Sequence, residues 1–216
     1  MTPLPRGARL LVATLLLRAF VNGALAVWLL ARDLVWIDIF WTGAAYAIID
    51  GGLGILTGAL LTRHEWSSTA PQLVSMVLAD AVLRVGAGLA IFAFPGIPDF
   101  PITLVLFFGA LGAWAAIAGV IAIAGWFAVH EREKNSSHRS RSRTHALFDP
   151  LAVAGLVALM LAIYAIILGP PATGKALRVA AGVASASLVL VFLVAAFSVA
   201  RAGRAFSGTA RAGARR

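Results

Sequence analysis

Six apolar runs, each about the length an α-helix needs to cross ~30 Å of hydrocarbon, constrain this chain more than any other feature. They extend from Leu10 to Ala31, Val35 to Leu61, Gln72 to Phe94, Ile102 to Val129, Leu151 to Leu168 and Leu177 to Ala200. Proline stands in the gaps, at Pro71, Pro95, Pro98, Pro101, Pro150, Pro170 and Pro171, and in none of the runs, as uninterrupted helices require. With 61% hydrophobic and only 12% charged residues, the chain has far more apolar surface than a water-soluble domain could bury. The fold expected is therefore an all-α integral membrane bundle of six transmembrane helices. Arg6 and Arg9 followed by an apolar run and Ala24-Leu25-Ala26 imitate a cleavable signal peptide, but Arg18 interrupts the apolar core such a peptide needs, so the first run reads as a mature helix.

The basic residues set the orientation. In a six-span arrangement one face collects Arg6, Arg9, Arg63, Arg132, Lys134, Arg139, Arg141, Arg143, Arg201, Arg204, Arg211, Arg215 and Arg216, which is 13 of the 18 Lys and Arg residues. The other face holds only Arg32, Lys175 and Arg178, while Arg18 and Arg84 lie within runs. The positive-inside rule makes the first face cytoplasmic and places both termini there, in a plasma (inner) membrane. A net charge of +9 gathered beside apolar runs is topogenic, and nucleic acid is not an expected partner.

The chain thus divides into helices one to four (1–129), a basic cytoplasmic loop (130–149), helices five and six (150–200) and a basic cytoplasmic tail (201–216). The loop's Arg139, Arg141 and Arg143 alternate with serine and point to docking on anionic lipid headgroups or to a plain topogenic linker.

Laying the second run on the fourth at a shift of 68 residues aligns Ala45-Tyr46-Ala47-Ile48-Ile49-Asp50-Gly51 with Ala113-Trp114-Ala115-Ala116-Ile117-Ala118-Gly119. The match suggests a helical hairpin that recurs. Phe92-Ala93-Phe94-Pro95-Gly96 closes the third run, and a similar turn, Ile167-Leu168-Gly169-Pro170, closes the fifth ahead of a sixth run bearing Gly182. Three apolar hairpins with these turns resemble the HdeD-like family of acid-resistance membrane proteins over residues 10 to 200. The resemblance implies a six-helix inner-membrane fold and a non-enzymatic role in acid or membrane stress, with no cofactor. The long basic loop and the arginine-rich tail depart from that family.

Several chemistries fail on the residues themselves. The chain has no cysteine, which removes disulfides, thiolate metal sites and cysteine nucleophiles. His64-Glu65 and His130-Glu131 lack the second histidine, one turn on, that a zinc helix needs, since Ser68 and Lys134 stand there. All four histidines, with His138 and His145, belong to cytoplasmic segments, where they are solvated or at most sense pH. No second carboxylate follows Asp50-Gly51-Gly52 on successive turns of its helix to hold a divalent metal, so a lipid-modifying enzyme is the remotest reading.

Two features remain. Arg18, Asn22, Asp50, Asp80 and Arg84 are polar residues deep inside apolar runs, where a charge costs ~2.5 to 3.5 kcal/mol on the insertion scale and must find a partner. Asp80 and Arg84 are four apart and share a helix face, and at 1.5 Å per residue all four charges lie roughly 13 to 18 Å below the cytoplasmic surface. The two arginines and two aspartates sum to zero, which suits a packing network; a small proton-coupled or ion transporter is the alternative. The second feature is a pair of small-residue stripes, Gly43, Ala47, Gly51, Gly54 and Gly58 in the second run and Gly112, Ala115, Gly119 and Ala122 in the fourth, which allow close helix contact within the bundle or in a homo-oligomer.

Overall fold

The structure is a computed structural model that describes residues 4, 6–32, 36–63, 71–93, 114, 117–121, 123, 152–160 and 174–213. Within them the chain is all-helical. The long helices are α1 (Arg6–Ala31), α2 (Trp36–Thr62), α3 (Pro71–Ala93) and α4 (Gly174–Gly213), and residues 117–121 and 152–160 are helical as well. Each long helix contains a segment long and apolar enough to cross a membrane: Arg6–Ala31, Trp41–Thr62, Val74–Ala93 and Arg178–Arg201. The chain is on this ground a multi-pass membrane protein. The basic loop, the four histidines, Gly112, Ala115, Ala122 and Arg139, Arg141 and Arg143 lie outside the described residues.

Helix ends follow local chemistry. Pro71 opens α3 at a position where its missing N–H costs nothing. The α1 helix stops at Ala31, and the carbonyl of Arg32 just beyond accepts a hydrogen bond from Nη1 of Arg178 on α4. The tail does not leave the helix where the span ends: α4 continues from Arg201 to Gly213, through a stretch dominated by alanine and arginine and free of proline.

The four helices pair in two seams, α1 along α4 and α2 along α3, with a smaller contact between α1 and α2. Contacts across each seam run in opposite directions. Gly54 of α2 meets Ala81 of α3 while Gly88 meets Ile48, and Gly182 of α4 meets Leu30 of α1 while Gly23 meets Val189. The contacts of Arg18 and Asn22 with Asp50, and of Asn22 with Tyr46, set α1 antiparallel to α2 in the same way. It follows that α3 and α4 point in opposite directions. Arg6, Arg9, Arg63 and Arg201 therefore stand exposed at one end of the bundle, and exposed Arg32 with half-buried Arg178 at the other.

Burial is inverted relative to a soluble protein. Leu10, Leu17, Phe20 and Val27 of α1, Val82, Leu83 and Leu89 of α3, and Leu193 and Phe197 of α4 face outward, as lipid-facing positions should. Inside lie Leu11, Leu15, Leu29, Leu188 and Phe192 with the alanines of α4, and among them several polar groups. Thr14 Oγ1 folds back to the Leu10 carbonyl at 2.9 Å and Thr57 Oγ1 to that of Leu53 at 2.7 Å, so that these two donors are satisfied within their own helix, whereas the buried Ser198 hydroxyl of α4 has no partner among the described residues.

Candidate functional site

At the middle of the spans the three N-terminal helices each contribute charge to one buried cluster. Arg18 lies at the centre of α1, Asp50 close to the centre of the α2 span, and Arg84 at the centre of the α3 span. Arg18 grips Asp50 with a two-pronged contact, Nε to Oδ1 at 3.0 Å and Nη2 to Oδ2 at 2.9 Å. Arg84 reaches the same carboxylate from α3, Nη1 to Oδ2 at 2.7 Å, and spends its Nε on Asp80 Oδ2 at 2.9 Å one turn back along its own helix. Asn22, one turn beyond Arg18, donates Nδ2 to Asp50 Oδ1 at 3.2 Å and to the Arg18 carbonyl at 2.9 Å.

Asp50 thus receives two hydrogen bonds on each oxygen, which is the full acceptor capacity of a carboxylate. Its exposure is 0%, and that of Arg84 is 1%. Removing such charges from water costs several kcal/mol per ion, and only geometry this complete offsets it. Asp80 is different. Its side chain keeps 11% exposure, and among the described residues Arg84 is its one hydrogen-bond partner.

Four further residues complete the shell. Tyr46, one turn before Asp50, donates its hydroxyl to Asn22 Oδ1 at 2.8 Å, and Ser185 of α4 donates to the Asn22 carbonyl at 3.1 Å. The Arg18 guanidinium lies 4.2 Å from the centre of the Phe192 ring on α4, and that of Arg84 lies 4.9 Å from the Trp114 ring. Both distances allow cation–π attraction, which is strongest where water is excluded. Trp114 also leans on Tyr46, ring centres 6.3 Å apart. All five polar residues singled out from sequence, Arg18, Asn22, Asp50, Asp80 and Arg84, thus come together. Tyr46, Trp114, Phe192 and Ser185 escaped that reading because, in an apolar helix, an aromatic or a serine is ordinary. Tyr46 alone carried a signal, being four residues from Asp50 on the same face.

The small-residue stripe of α2 belongs to the same construction. A side chain at Gly51 would meet Ala81 O at 2.9 Å and Arg84 Cβ at 3.0 Å; one at Gly54 would meet Ala81 Cβ at 2.8 Å and lie 3.6 Å from Arg18 Nη2. These two glycines let α3 approach closely enough for Arg84 to touch Asp50, and leave room for Arg18 beside it. Gly58 faces Leu78 in the same seam, while Gly43 and Ala47 are buried. Gly88 of α3, which the stripes did not include, answers from the other side: a side chain there would press Ala44 O at 2.9 Å. In the C-terminal half, Gly119 meets Gly155, where a side chain would come within 2.6 Å of the carbonyl.

Chemically the cluster is a neutral ladder of alternating charge, Arg18, Asp50, Arg84, Asp80, held between helices. Its carboxylates are engaged by guanidinium groups, and no group of three or more metal-binding side chains occurs among the described residues. Comparison with known proteins adds no identity: no family model, no curated protein and no solved structure matches this chain.

Proposed function

We propose that this chain is a six-span protein of the plasma membrane, HdeD-like in architecture, whose role is non-enzymatic and lies in acid or membrane stress. The mid-span ladder serves in this reading as the lock of the bundle. Asp50, unexposed and with every acceptor position filled, is the observation that carries it. A carboxylate built for substrate or for ion passage needs a free coordination position and a route to water, and Asp50 has neither.

The span count draws support from direction. Because α3 and α4 are antiparallel to each other, the chain between Ala93 and Gly174 crosses the membrane an even number of times. Two apolar runs occupy that interval, which favours six spans with both termini on one side, and the 13 basic residues make that side cytoplasmic. Repetition of the hairpin draws support from equivalent positions: Gly51 and Gly119, 68 apart, each bring a neighbouring helix carbonyl close, and Tyr46 and Trp114, also 68 apart, pack on each other. Anionic headgroups are the partners that suit Arg6, Arg9, Arg63 and Arg201 at the cytoplasmic end and the Arg139, Arg141 and Arg143 loop.

Two measurements test this. Reporter fusions after Phe206 and near Ser140 should both report the cytoplasm; a periplasmic signal from either defeats the topology. A variant carrying Arg18→Leu with Asp50→Leu removes one neutral pair and leaves the other, Arg84 with Asp80, in place. It should remain folded and restore survival of acid or membrane stress to a deletion strain. A folded variant that fails to restore it would make the ladder a conduction pathway instead of a lock.

A further inference from the structure

The two carboxylates of the ladder are inequivalent, and the difference has a chemical meaning. A proton arriving at Asp50 would have to sit on an oxygen already facing two N–H donors, with no acceptor for the new O–H, and it would strip both arginines of their shared anion. A proton arriving at Asp80 meets a different situation. Arg84 Nε binds Oδ2, so Oδ1 can take the proton while that hydrogen bond stays in place, and the side chain retains some exposure. Arg84 keeps its contact with Asp50 Oδ2 and its place over Trp114, so the cation is not abandoned when Asp80 becomes neutral.

We propose that Asp80 is a proton-binding site at mid-membrane, and that Asp50 stays ionised as its fixed counter-charge. Protonation at Asp80 Oδ1 takes the ladder from neutral to a charge of plus one, with the proton drawn from the aqueous phase and no other bond made or broken. Among the described residues the charged and titratable groups around it are Arg84 on its own helix, Asp50 and Tyr46 on α2, and Arg18 on α1. With Arg84 beside it and no second oxygen ligand assembled among the described residues, the site repels a metal cation and suits a proton. The inference concerns a ligand of the ladder, and the tests of the lock do not touch residue 80, so each can fail without the other.

The test is infrared difference spectroscopy on the full chain in lipid nanodiscs, between neutral and acidic pH. Acidification should raise a protonated-carboxyl band that Asp80→Asn loses, by the equivalent of one carboxyl per chain, and that Asp80→Glu keeps at a shifted position. Should Asp80→Asn fail to fold, Asp80→Glu decides alone: a band that moves belongs to residue 80. Identical difference spectra for the wild type and a folded variant would overturn the proposal.

Discussion

The two seams of the bundle are built on opposite principles. Along α1 and α4 bulk meets bulk: Leu11, Leu15, Leu29, Leu188 and Phe192 interdigitate over a bed of alanines, as in a soluble core. Along α2 and α3 the helices meet through absence, with Gly51, Gly54 and Gly88 drawing backbone against backbone. The first seam can repack, because side chains rotate and volumes can be exchanged. The second has little room to do so, because beside the side-chain carbons of Val85, Ala81 and Ile48 its glycines face fixed backbone, Ala81 O at Gly51 and Ala44 O at Gly88. The rigid seam also carries three of the four charges, Asp50, Asp80 and Arg84, with Arg18 reaching in from α1, and a charge pair in a membrane needs a fixed distance more than it needs contact area.

Substitutions can break that contrast, and the largest effect should come from the charges. Asp50→Ala would strand two buried arginines at once, and we expect a loss of about 3 to 5 kcal/mol or more, the cost of breaking a buried pair, read as a collapse of thermal stability in detergent. Survival of the folded state without that loss would mean that the ladder does not hold the helices together.

A smaller but still severe effect should follow Gly88→Leu. Its first side-chain carbon would press on Ala44 O and, at 3.2 Å, on Ile48 N, neither of which can turn aside, so overpacking at the high end of about 1 to 3 kcal/mol is expected. The matching change in the other seam, Leu188→Met, conserves volume and should cost less than about 1.5 kcal/mol. If the two variants unfold at the same temperature, the seams do not differ as described.

The smallest effect belongs to Gly52, which has open space where a side chain would go; Gly52→Ala should leave stability unchanged or raise it, by up to about 1 kcal/mol from helix propensity. A marked loss of stability there would place an unseen neighbour against that face of α2.

Legibility in the sequence followed the same divide. Long apolar runs and charges within them are local signals with large energies, so four of the spans and the five polar residues of the ladder could be read directly. The α2 stripe could be read too, since small residues at intervals of three and four share a helix face. What could not be read was pairing. Nothing in α1 announces that its leucines meet α4, because a leucine facing lipid and a leucine facing a neighbouring helix have the same chemistry. Phe192, Trp114 and Ser185 were hidden for the same reason, since their place beside Arg18, Arg84 and Asn22 depends on contacts between distant parts of the chain. That α4 continues to Gly213 was not read either, because the basic residues of the tail were weighed for their charge and not for their helix propensity.

The seam between α1 and α4 joins residues far apart along the chain, Ser185 to Asn22 across 163 residues, and this imposes an order in time. At about 5 to 20 residues per second, roughly ten to thirty seconds of synthesis separate the arrival of Asn22 from that of its partner on α4. During that interval Arg18 can already be neutralised by Asp50, which follows it within seconds, whereas the leucine face of α1 waits in lipid or against the insertion machinery. The ladder can therefore assemble among the first three helices before α4 is made, so that α4 meets a group whose charges are already matched. A ribosome that stops before α4 would leave behind a helix group electrically complete but open along one flank, and that flank is the surface a membrane quality-control protease would find.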